Sequence, residues 1–118
     1  MATMSKVVLS GSTNGLAHKV SGGDSAAATV VHAAGAGTSN LDEIWLWANN
    51  TSGGDVKITI EWGTATAADG NIEVTIGTEA GLVQVIPGLI LCNSKDIQVF
   101  AAVTNVILIT GFVNRITA

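Results

Sequence analysis

Charged residues are scarce in this sequence of 118 residues, which carries nine acidic and five basic side chains and a formal net charge of −4. Globular domains on average devote about a quarter of their residues to Asp, Glu, Lys and Arg, whereas the fraction here is 12%. A nucleic-acid-binding protein needs a basic surface, so this charge balance argues against that class. Disorder requires low hydrophobicity, but 47% of these residues are hydrophobic. We therefore expect one compact domain that makes no direct contact with nucleic acid.

Cysteine occurs once, at Cys92, so the chain can form no internal disulfide. We expect Cys92 to be a small buried hydrophobe on a strand, the usual role of an unpaired cysteine. The apolar run from Val7 to Leu9 is too short for the hydrophobic region of a secretory signal. The long uncharged stretch of residues 97–114 holds too many polar side chains for a membrane span. The expected setting is a reducing cytoplasm, with no association with a membrane.

Proline occurs once and tyrosine never, whereas Val and Ile together supply 24 residues, Thr 13 and Gly 14. This composition, rich in β-branched residues and punctuated by glycine, favours strands over helices. Asp55–Trp62 and Asn71–Ile76 alternate between apolar and polar residues, which predicts strands with one core face and one solvent face. Seven further strands are predicted at Lys6–Ser10, Thr29–Ala33, Leu41–Ala48, Leu82–Ile86, Leu89–Cys92, Ile97–Val103 and Val106–Ile116.

The predicted fold class is all-β: an antiparallel β-sandwich of jelly-roll type with eight to nine short strands. Turn dipeptides such as Asp69-Gly70 and Pro87-Gly88 are predicted to separate the strands. Linkers rich in glycine and alanine lie in the first third of the chain. We predict an extended N-terminal arm over residues 1–25 and a single β-sandwich domain over residues 26–118.

Two predicted strands are apolar on both faces, through the runs Ile44–Trp47 and Val106–Ile109. A strand in a two-layer sandwich has one face on the core, so apolar residues on its other face must meet a flanking loop, another subunit or another protein. Trp45 and Trp47 share one side of their strand. Three interpretations are open for this pair: core, protein interface or a platform on which sugars stack. Trp62 ends a well-phased inward face and is predicted to fill the core.

No motif for catalysis or metal binding is present. His18 and His32 each lack a second histidine or a cysteine at ligand spacing, so no zinc site is predicted, and both are expected to be exposed or packed by loops. Glu61 and Glu73 lie on the outward faces of consecutive strands, where solvated charges are expected and an acid/base pair is the alternative. A nucleophile elbow, a calcium loop and a phosphate loop are all missing. We expect no enzyme activity, no cofactor and no metal.

Five segments occur in order along most of the chain: LSGSTNG at 9–15, LDEIW at 41–45, TIEWG at 59–63, VIPGL at 85–89 and GFVNRI at 111–116. This series resembles small structural proteins encoded in the head modules of tailed bacteriophages, the capsid decoration or cement proteins. The resemblance implies a β-sandwich protein, commonly a homotrimer, that sits on the outer capsid and contacts several subunits of the major capsid protein. It implies no catalytic motif.

On this resemblance, the expected function is that of a virion structural protein, synthesised in the host cytoplasm, that stabilises the shell from the capsid exterior. The residues expected at a subunit interface are Trp45, Trp47, Val106 and Leu108. Those expected to contact the capsid lie in the N-terminal arm and are Ser10, Thr13, Asn14, His18 and Lys19. The alternative is a carbohydrate-binding virion or tail module that uses exposed tryptophans for host adhesion.

Overall fold

The computed structural model describes residues 2–118 as a sandwich of two antiparallel sheets. The predicted all-β sandwich is thereby confirmed. The strands are β1 (Thr3–Val8), β2 (His18–Lys19), β3 (Thr29–Ala33), β4 (Asn40–Asn50), β5 (Val56–Trp62), β6 (Asn71–Ile76), β7 (Val83–Leu91), β8 (Asp96–Ala101) and β9 (Ile107–Thr117). Within the described residues, the helical structure is one 3₁₀ turn at Ser25–Ala27, which the Asp24 side chain caps. No helix in this part of the chain has the length and hydropathy needed to cross a membrane.

Strand pairing in the two sheets is nested. The larger sheet has the order β1-β9-β4-β7, and the short β2 pairs with β9 beside β1. The smaller sheet has the order β3-β8-β5-β6. From the two ends of the chain toward its middle, successive strand pairs alternate between the two sheets: β1 with β9, β3 with β8, β4 with β7 and β5 with β6. The chain is thus paired like one long hairpin folded back and forth across the core.

Alternate residues of the strands fill the core. β4 contributes Ile44 and Leu46 and β5 contributes Ile58 and Ile60, all of them fully buried. The inward face predicted for Asp55–Trp62 is confirmed, because its aliphatic residues are buried and Trp62 packs against the core from a partly buried position. The predicted solvent face is wrong in part, because Thr59 and Glu61 are 6% and 2% exposed. Each fully buried aliphatic side chain contributes about 1.5–3 kcal/mol, so these inner faces are the main source of stability.

The strand predicted to end before Pro87-Gly88 continues through it. β7 runs from Val83 to Leu91 and pairs with β4, with two register shifts along its length. Gly88 has φ +82°, and a Cβ at this position would lie 2.6 Å from Cζ2 of Trp45, so the glycine forms a bulge under the indole ring. Proline is tolerated because β7 is an edge strand. The predicted turn, and the two separate strands that it implied, are wrong.

Other local differences have local causes. β1 covers Thr3–Val8 instead of Lys6–Ser10 because Leu9 turns into the core, where it is fully buried. β2 has two residues, too few to show any periodicity in the sequence. Cys92 follows β7 and is half-buried, so the prediction of a buried strand position for it is wrong.

The segment predicted to be an N-terminal arm lies against the larger sheet along much of its length. β1 pairs with β9 over six residue pairs, β2 continues along the same side of β9, and Val20 is fully buried. The chain then crosses to the outer face of the smaller sheet, where the 3₁₀ turn lies against β8. Met1 lies outside the described residues, and the division of the chain at residue 25 stays a prediction.

Candidate functional site

Trp45 and Trp47 lie on the outer face of the larger sheet. Ile44, Leu46 and Ala48 occupy the core side of β4, so alternation places the two tryptophans on the opposite side, where both are half-buried. The core interpretation of this pair is therefore wrong. Their interpretation as a protein interface or as a sugar platform stays a prediction.

Phe112 of β9 completes this aromatic surface, the name used below for Trp45, Trp47 and Phe112. The Phe112 ring centroid lies 6.2 Å from that of Trp45 with 15° between the ring planes, and 6.0 Å from that of Trp47 with 27° between the planes. Aromatic pairs at such separations contribute about 0.5–1.5 kcal/mol beyond their burial. The Lys6 ammonium lies 4.8 Å from the Phe112 centroid, a cation–π contact. Each ring of the surface is thus held by at least one neighbour.

A carboxylate fixes one end of the aromatic surface. Oε1 of Glu43 accepts hydrogen bonds from Nε1 of Trp45 at 2.7 Å and from Nδ2 of Asn114 at 2.9 Å. The hydrogen bond from Asn114, and next the one from Trp45, hold the pKa of the Glu43 carboxyl below its usual value. Because the indole N–H is satisfied within the chain and Gly88 lies against the ring, the orientation of Trp45 is set before any partner binds.

Exposed apolar side chains surround the aromatic surface. Val8 is opposite Phe112 in the register, and Met4 lies four residues earlier on the same face of β1; they are 51% and 63% exposed. Ile90 of β7 shares the face from the other edge and is 45% exposed. Exposed apolar side chains grouped on one sheet face, here interspersed with Lys6 and Glu43, are found at interaction sites.

The structure groups three of the four residues expected at a subunit interface. Leu108 lies on the same outer face as Trp45 and Trp47 and is half-buried. Val106 precedes β9 and packs against the core instead. Phe112 is not among the interface residues predicted from the sequence, although it is in phase with Leu108, four residues earlier on β9.

The five residues expected to contact the capsid lie in and beside the loop between β1 and β2. An open groove of about 360 Å³ is lined by residues 11–13 and 16–19. Thr13, His18 and Lys19 belong to its lining, and Leu16 in the same lining is 66% exposed. The groove therefore combines hydroxyl, cationic and apolar groups.

The other two residues of that set lie outside the groove lining. Asn14 adopts φ +56°, a left-handed conformation that asparagine tolerates in tight turns. Nδ1 of His18 donates to the carbonyl of Gly11, which draws the two ends of the loop together. Ser10 makes its contacts with β3 instead of the groove, through hydrogen bonds to His32 and Ala33.

A buried polar network joins the two sheets near this loop. His32 and Asp42 are each 1% exposed, and Nε2 of His32 lies 2.7 Å from Oδ2 of Asp42. Nε and Nη2 of Arg115 donate to the same carboxylate at 2.8 and 2.9 Å, the two-pronged geometry that arginine favours. Burial acts to raise the pKa of Asp42, but the hydrogen bonds from Arg115 and His32, together with the charge of Arg115, outweigh it and hold that pKa below its usual value.

Of the two alternatives predicted for His32, exposure is wrong, because its side chain is 1% exposed, whereas packing by a loop is found in its hydrogen bond with Ser10. A register shift between Val30 and His32 in the pairing of β3 with β8 leaves Val31 and His32 both buried. No feature of the sequence predicts that bulge. Asp42 does carry a signal, because it is in phase with Ile44 on β4, and a carboxylate that faces a core requires a partner.

Ser10, His32 and Asp42 are the residue types of a Ser-His-Asp triad, but their hydrogen bonds differ from those of a triad. The backbone N–H of Ser10 donates to Nδ1 of His32 at 3.0 Å, and Oγ of Ser10 accepts from the N–H of Ala33 at 2.7 Å. A serine nucleophile needs its hydroxyl bonded to the imidazole. Here the backbone takes that place, so the group serves to attach the loop and both sheets to one another.

Glu61 and Glu73 have different environments. Glu73 is solvated as expected, with its carboxylate 2.7 Å from Nζ of Lys57. The expectation of solvation is wrong for Glu61, which is 2% exposed because the 3₁₀ turn covers it and Oγ of Ser25 donates to its Oε2 at 2.7 Å. Within residues 2–118, no three His, Cys, Asp or Glu side chains gather as metal ligands would.

Comparisons with protein-family models, with curated proteins and with solved structures found no match to this chain. Its function is therefore argued from its own surfaces. Two of them stand out: the aromatic surface on the larger sheet, and the grooved loop between β1 and β2 at the edge of the same sheet.

Proposed function

We propose that this protein is a capsid decoration protein, a virion structural component that binds the outer shell and bridges neighbouring subunits of the major capsid protein. The aromatic surface carries the proposal. The larger sheet already fills the core with its inner face, so the apolar area that stays exposed on its outer face adds to stability only if something covers it. A protein that works by forming contacts needs such a face.

Copies of the same chain are the proposed cover for the aromatic surface. Tryptophan, phenylalanine and methionine are enriched at protein interfaces, and aromatic anchors in the centre of an interface carry most of its binding energy. Trp45 and Trp47 are central on the sheet, because β4 has a paired strand on each side. The proposed trimeric state rests on the resemblance of the sequence. The aromatic surface supports contact between copies of the chain but not a particular number of copies.

The strand order supports the jelly-roll part of the proposal. A jelly roll has eight strands in two sheets, and it is found in viral capsid domains and in lectins. Without the two-residue β2, the chain has eight strands in two sheets of four, with nested pairs that alternate between the sheets. Since a fold does not by itself set a function, this order is consistent with capsid decoration but does not carry it.

The loop between β1 and β2 is the proposed capsid-facing surface. An exposed apolar residue, Leu16, beside the Lys19 ammonium and the hydroxyls of Ser12 and Thr13 is the mixture found at protein interfaces. An oligomer would present several such loops at once, so that weak individual contacts add up through avidity. Because the bridged arrangement exists only in the assembled shell, binding would stabilise the shell by mass action.

Light scattering on the purified chain tests the self-association step. We expect a mass about three times the 11.9 kDa of one chain at micromolar concentration. Trp47→Asp should give a folded monomer, because a desolvated charge in the interface is costly. Thr75→Asp is the matched control, since it adds the same charge to the outer face of the smaller sheet, opposite Lys57, and should keep the oligomer. A monomeric wild-type chain would contradict the proposed assembly.

Sedimentation with undecorated phage capsids tests the binding step. The wild-type chain should co-sediment with the capsids and raise their temperature of thermal disruption. Lys19→Glu with Leu16→Ser in the loop should lower capsid binding by about tenfold or more while the oligomeric mass is unchanged. If this double variant binds capsids as well as the wild-type chain, the loop is not the capsid contact. If the wild-type chain does not bind capsids, the proposed capsid function is wrong.

A carbohydrate-binding virion or tail module is the second candidate. It is favoured by the stacking of Phe112 with both tryptophans, at interplanar angles of 15° and 27°, and by the amide of Asn114, which shares the Glu43 carboxylate with Trp45, since sugars bind aromatic rings with polar groups at the edge. Glycan-array binding that is lost on Trp45→Ala or Trp47→Ala, by a chain that stays monomeric, would select this function over capsid decoration. Capsid binding without glycan binding would reject it.

A further inference from the structure

The loop that follows β1 is attached to the smaller sheet by three hydrogen bonds. The N–H of Gly11 donates to the carbonyl of Val31 at 3.0 Å. Oγ of Ser10 accepts from the N–H of Ala33 at 2.7 Å, and the N–H of Ser10 donates to Nδ1 of His32 at 3.0 Å. The first two bonds involve groups that do not titrate. The third depends on the protonation state of His32.

The hydrogen bonds around His32 assign its tautomer. A backbone N–H can only donate, so Nδ1 is an unprotonated acceptor for Ser10, and Nε2 carries the hydrogen that is donated to Asp42 at 2.7 Å. The imidazole is neutral in this arrangement. A second proton would have to bind Nδ1. It would point at the N–H of Ser10, which would then have no acceptor.

The charges around His32 leave no partner for a second proton. Asp42 from β4 and Arg115 from β9 face this site, and their charges already cancel in a bidentate pair. β8 presents the apolar Ile97 at the paired position, while Asp96 is opposite Ala33 on the other face of the strand. Protonation would therefore leave one net positive charge at a site that is 1% exposed, which is costly unless water reaches it.

We propose that His32 is an acid-sensitive latch: protonation of Nδ1 breaks its bond to Ser10 and loosens β1 and the turn that follows it, while the remaining strands stay folded. Five of the six residues of β1 are exposed. The adjacent Leu9, which is fully buried, is therefore the main apolar anchor of this segment. Opening the turn admits water to Nδ1 and weakens the seating of Leu9.

The latch rests on the contacts of this chain alone and not on the proposed function. Its consequence for capsid binding rests on both. Thr13 lies in the loop that begins at Ser10, whereas His18 and Lys19 belong to β2, which stays paired with β9, so acid would loosen the loop side of the capsid-facing groove. Failure of the latch would leave capsid decoration standing, and failure of capsid binding would leave the latch standing.

Amide hydrogen exchange on the full chain, corrected for the intrinsic pH dependence of exchange, tests the latch as the pH is lowered from about 8 to about 5. We expect amides of residues 3–12 to lose protection by about tenfold or more on acidification, while amides of β4 and β5 keep theirs. Protection of residues 3–12 that does not change would overturn the latch. So would a simultaneous loss in β4 and β5, because that is global acid unfolding.

His32→Asn separates the latch from other effects of acid. The asparagine Oδ1 can accept from the N–H of Ser10 in place of Nδ1 but cannot be protonated in this range, so the pH response of residues 3–12 should disappear. His18→Asn is the matched control. It removes the other histidine of the chain, which bonds to Gly11 in the loop after β1, and the pH response of residues 3–12 should remain. A response that persists in His32→Asn would overturn the latch.

Imidazole ¹⁵N chemical shifts of the wild-type chain provide a measurement that needs no variant to fold. Nδ1 of His32 should be the unprotonated nitrogen at about pH 8, and it should gain a proton with the same pH midpoint as the exchange of residues 3–12. A hydrogen on Nδ1 at the higher pH, or two different midpoints, would contradict the latch.

Discussion

The two sheets of the sandwich place their ion pairs on opposite sides. The larger sheet turns its pair toward the interior, where Arg115 meets the buried carboxylate of Asp42, and places Trp45 and Phe112 outside. The smaller sheet turns its pair outward: Lys57 and Glu73 lie 2.7 Å apart with side chains 53% and 50% exposed. Charges are normally the exposed groups and aromatic rings the covered ones. The smaller sheet follows this habit, whereas the larger sheet leaves half-buried aromatic rings on its outer face beside Lys6 and Glu43.

The outer face of the smaller sheet is already covered in part by the chain itself. The 3₁₀ turn lies over Glu61 and supplies the hydroxyl of Ser25 to its carboxylate. Among the described residues, the exposed neighbours Met4 and Val8 of the aromatic surface belong to the larger sheet itself. Part of the outer face of the smaller sheet is thus buried under the chain itself, whereas the outer face of the larger sheet keeps exposed apolar side chains. Variants can test the two faces separately.

Breaking the inward pair of the larger sheet should have the largest effect. Arg115→Met leaves Asp42 buried with His32 as its remaining partner. Breaking a fully buried ion pair costs about 3–5 kcal/mol, and because the Arg115 side chain is 35% exposed, a loss at the lower end of that range is expected. Urea unfolding at neutral pH measures the loss. Lys57→Met, the corresponding change in the outward pair of the smaller sheet, should cost about 1 kcal/mol or less, and equal losses for the two variants would erase the contrast between the sheets.

The same inward pair should make the protein sensitive to acid. The folded-state pKa of Asp42 is held below its usual value, so this carboxylate stabilises the fold at every pH above the unfolded value of about 3.9, and the contribution is lost as the pH falls through that value toward the folded pKa. The urea midpoint should therefore decline below about pH 4, less steeply in Asp42→Asn. A wild-type midpoint that rises in strong acid would have the wrong sign.

Gly88→Ala should disturb the outer side of the larger sheet. The new Cβ would be strained at φ +82° and would lie 2.6 Å from the Trp45 ring, so a cost of about 2–4 kcal/mol is expected from strain and overpacking together. Gly81→Ala is matched for strain alone, with φ +74° and no atom within 4 Å, and should cost about 1–2 kcal/mol. Thermal unfolding measures the losses, and a shift in tryptophan fluorescence restricted to Gly88→Ala would assign the difference to the ring.

Ser25→Ala probes the cover of the smaller sheet. It leaves the buried Glu61 carboxylate without the hydroxyl that donates to Oε2 at 2.7 Å, and an unsatisfied buried acceptor costs about 1–3 kcal/mol. Ser21→Ala is the control, because that hydroxyl is exposed and makes only a 3.5 Å contact, so its change should stay within about 0.5 kcal/mol. Equal stability of the two variants by urea unfolding would mean that water replaces the Ser25 hydroxyl.

The outward pair of the smaller sheet should show the smallest effect. A double-mutant cycle of Lys57→Ala and Glu73→Ala should give a coupling energy of about 0.2–1 kcal/mol, because both side chains are half exposed. The coupling should vanish at about 1 M salt, where the screening length is about 3 Å. A coupling that survives high salt would place this pair in the same class as the inward one.

Strands with regular alternation are predictable from the sequence. The bounds of Thr29–Ala33 and Asn71–Ile76 agree with the structure, and the inward faces of β5 and β6 are as predicted. Two errors share one cause. Pro87-Gly88 has turn chemistry but lies in a strand, and His32 has no partner in sequence but meets Asp42. In both cases a bulge, set by the neighbouring strand, decides the outcome.

The candidate surfaces divide in the same way. That Trp45 and Trp47 act together follows from their spacing, but the spacing does not say which side of the sheet they occupy. Phe112 and Glu43 enter the surface through the pairing of β4 with β9, and Val106 leaves the expected interface because it packs inward before β9 begins. Jelly-roll topology, trimerisation and capsid binding stay predictions.

The sequence by itself determines that this chain is an all-β sandwich with few charges to cover its surface, because alternation and composition are properties of neighbouring residues. Tertiary structure alone decides that Asp42 is paired inside, that Glu61 is covered, and that Trp45 and Phe112 meet outside. These contacts join residues that are distant along the chain. Their partners are set by strand order, and their faces are set by register, where a slip of one residue turns a side chain to the other side of the sheet.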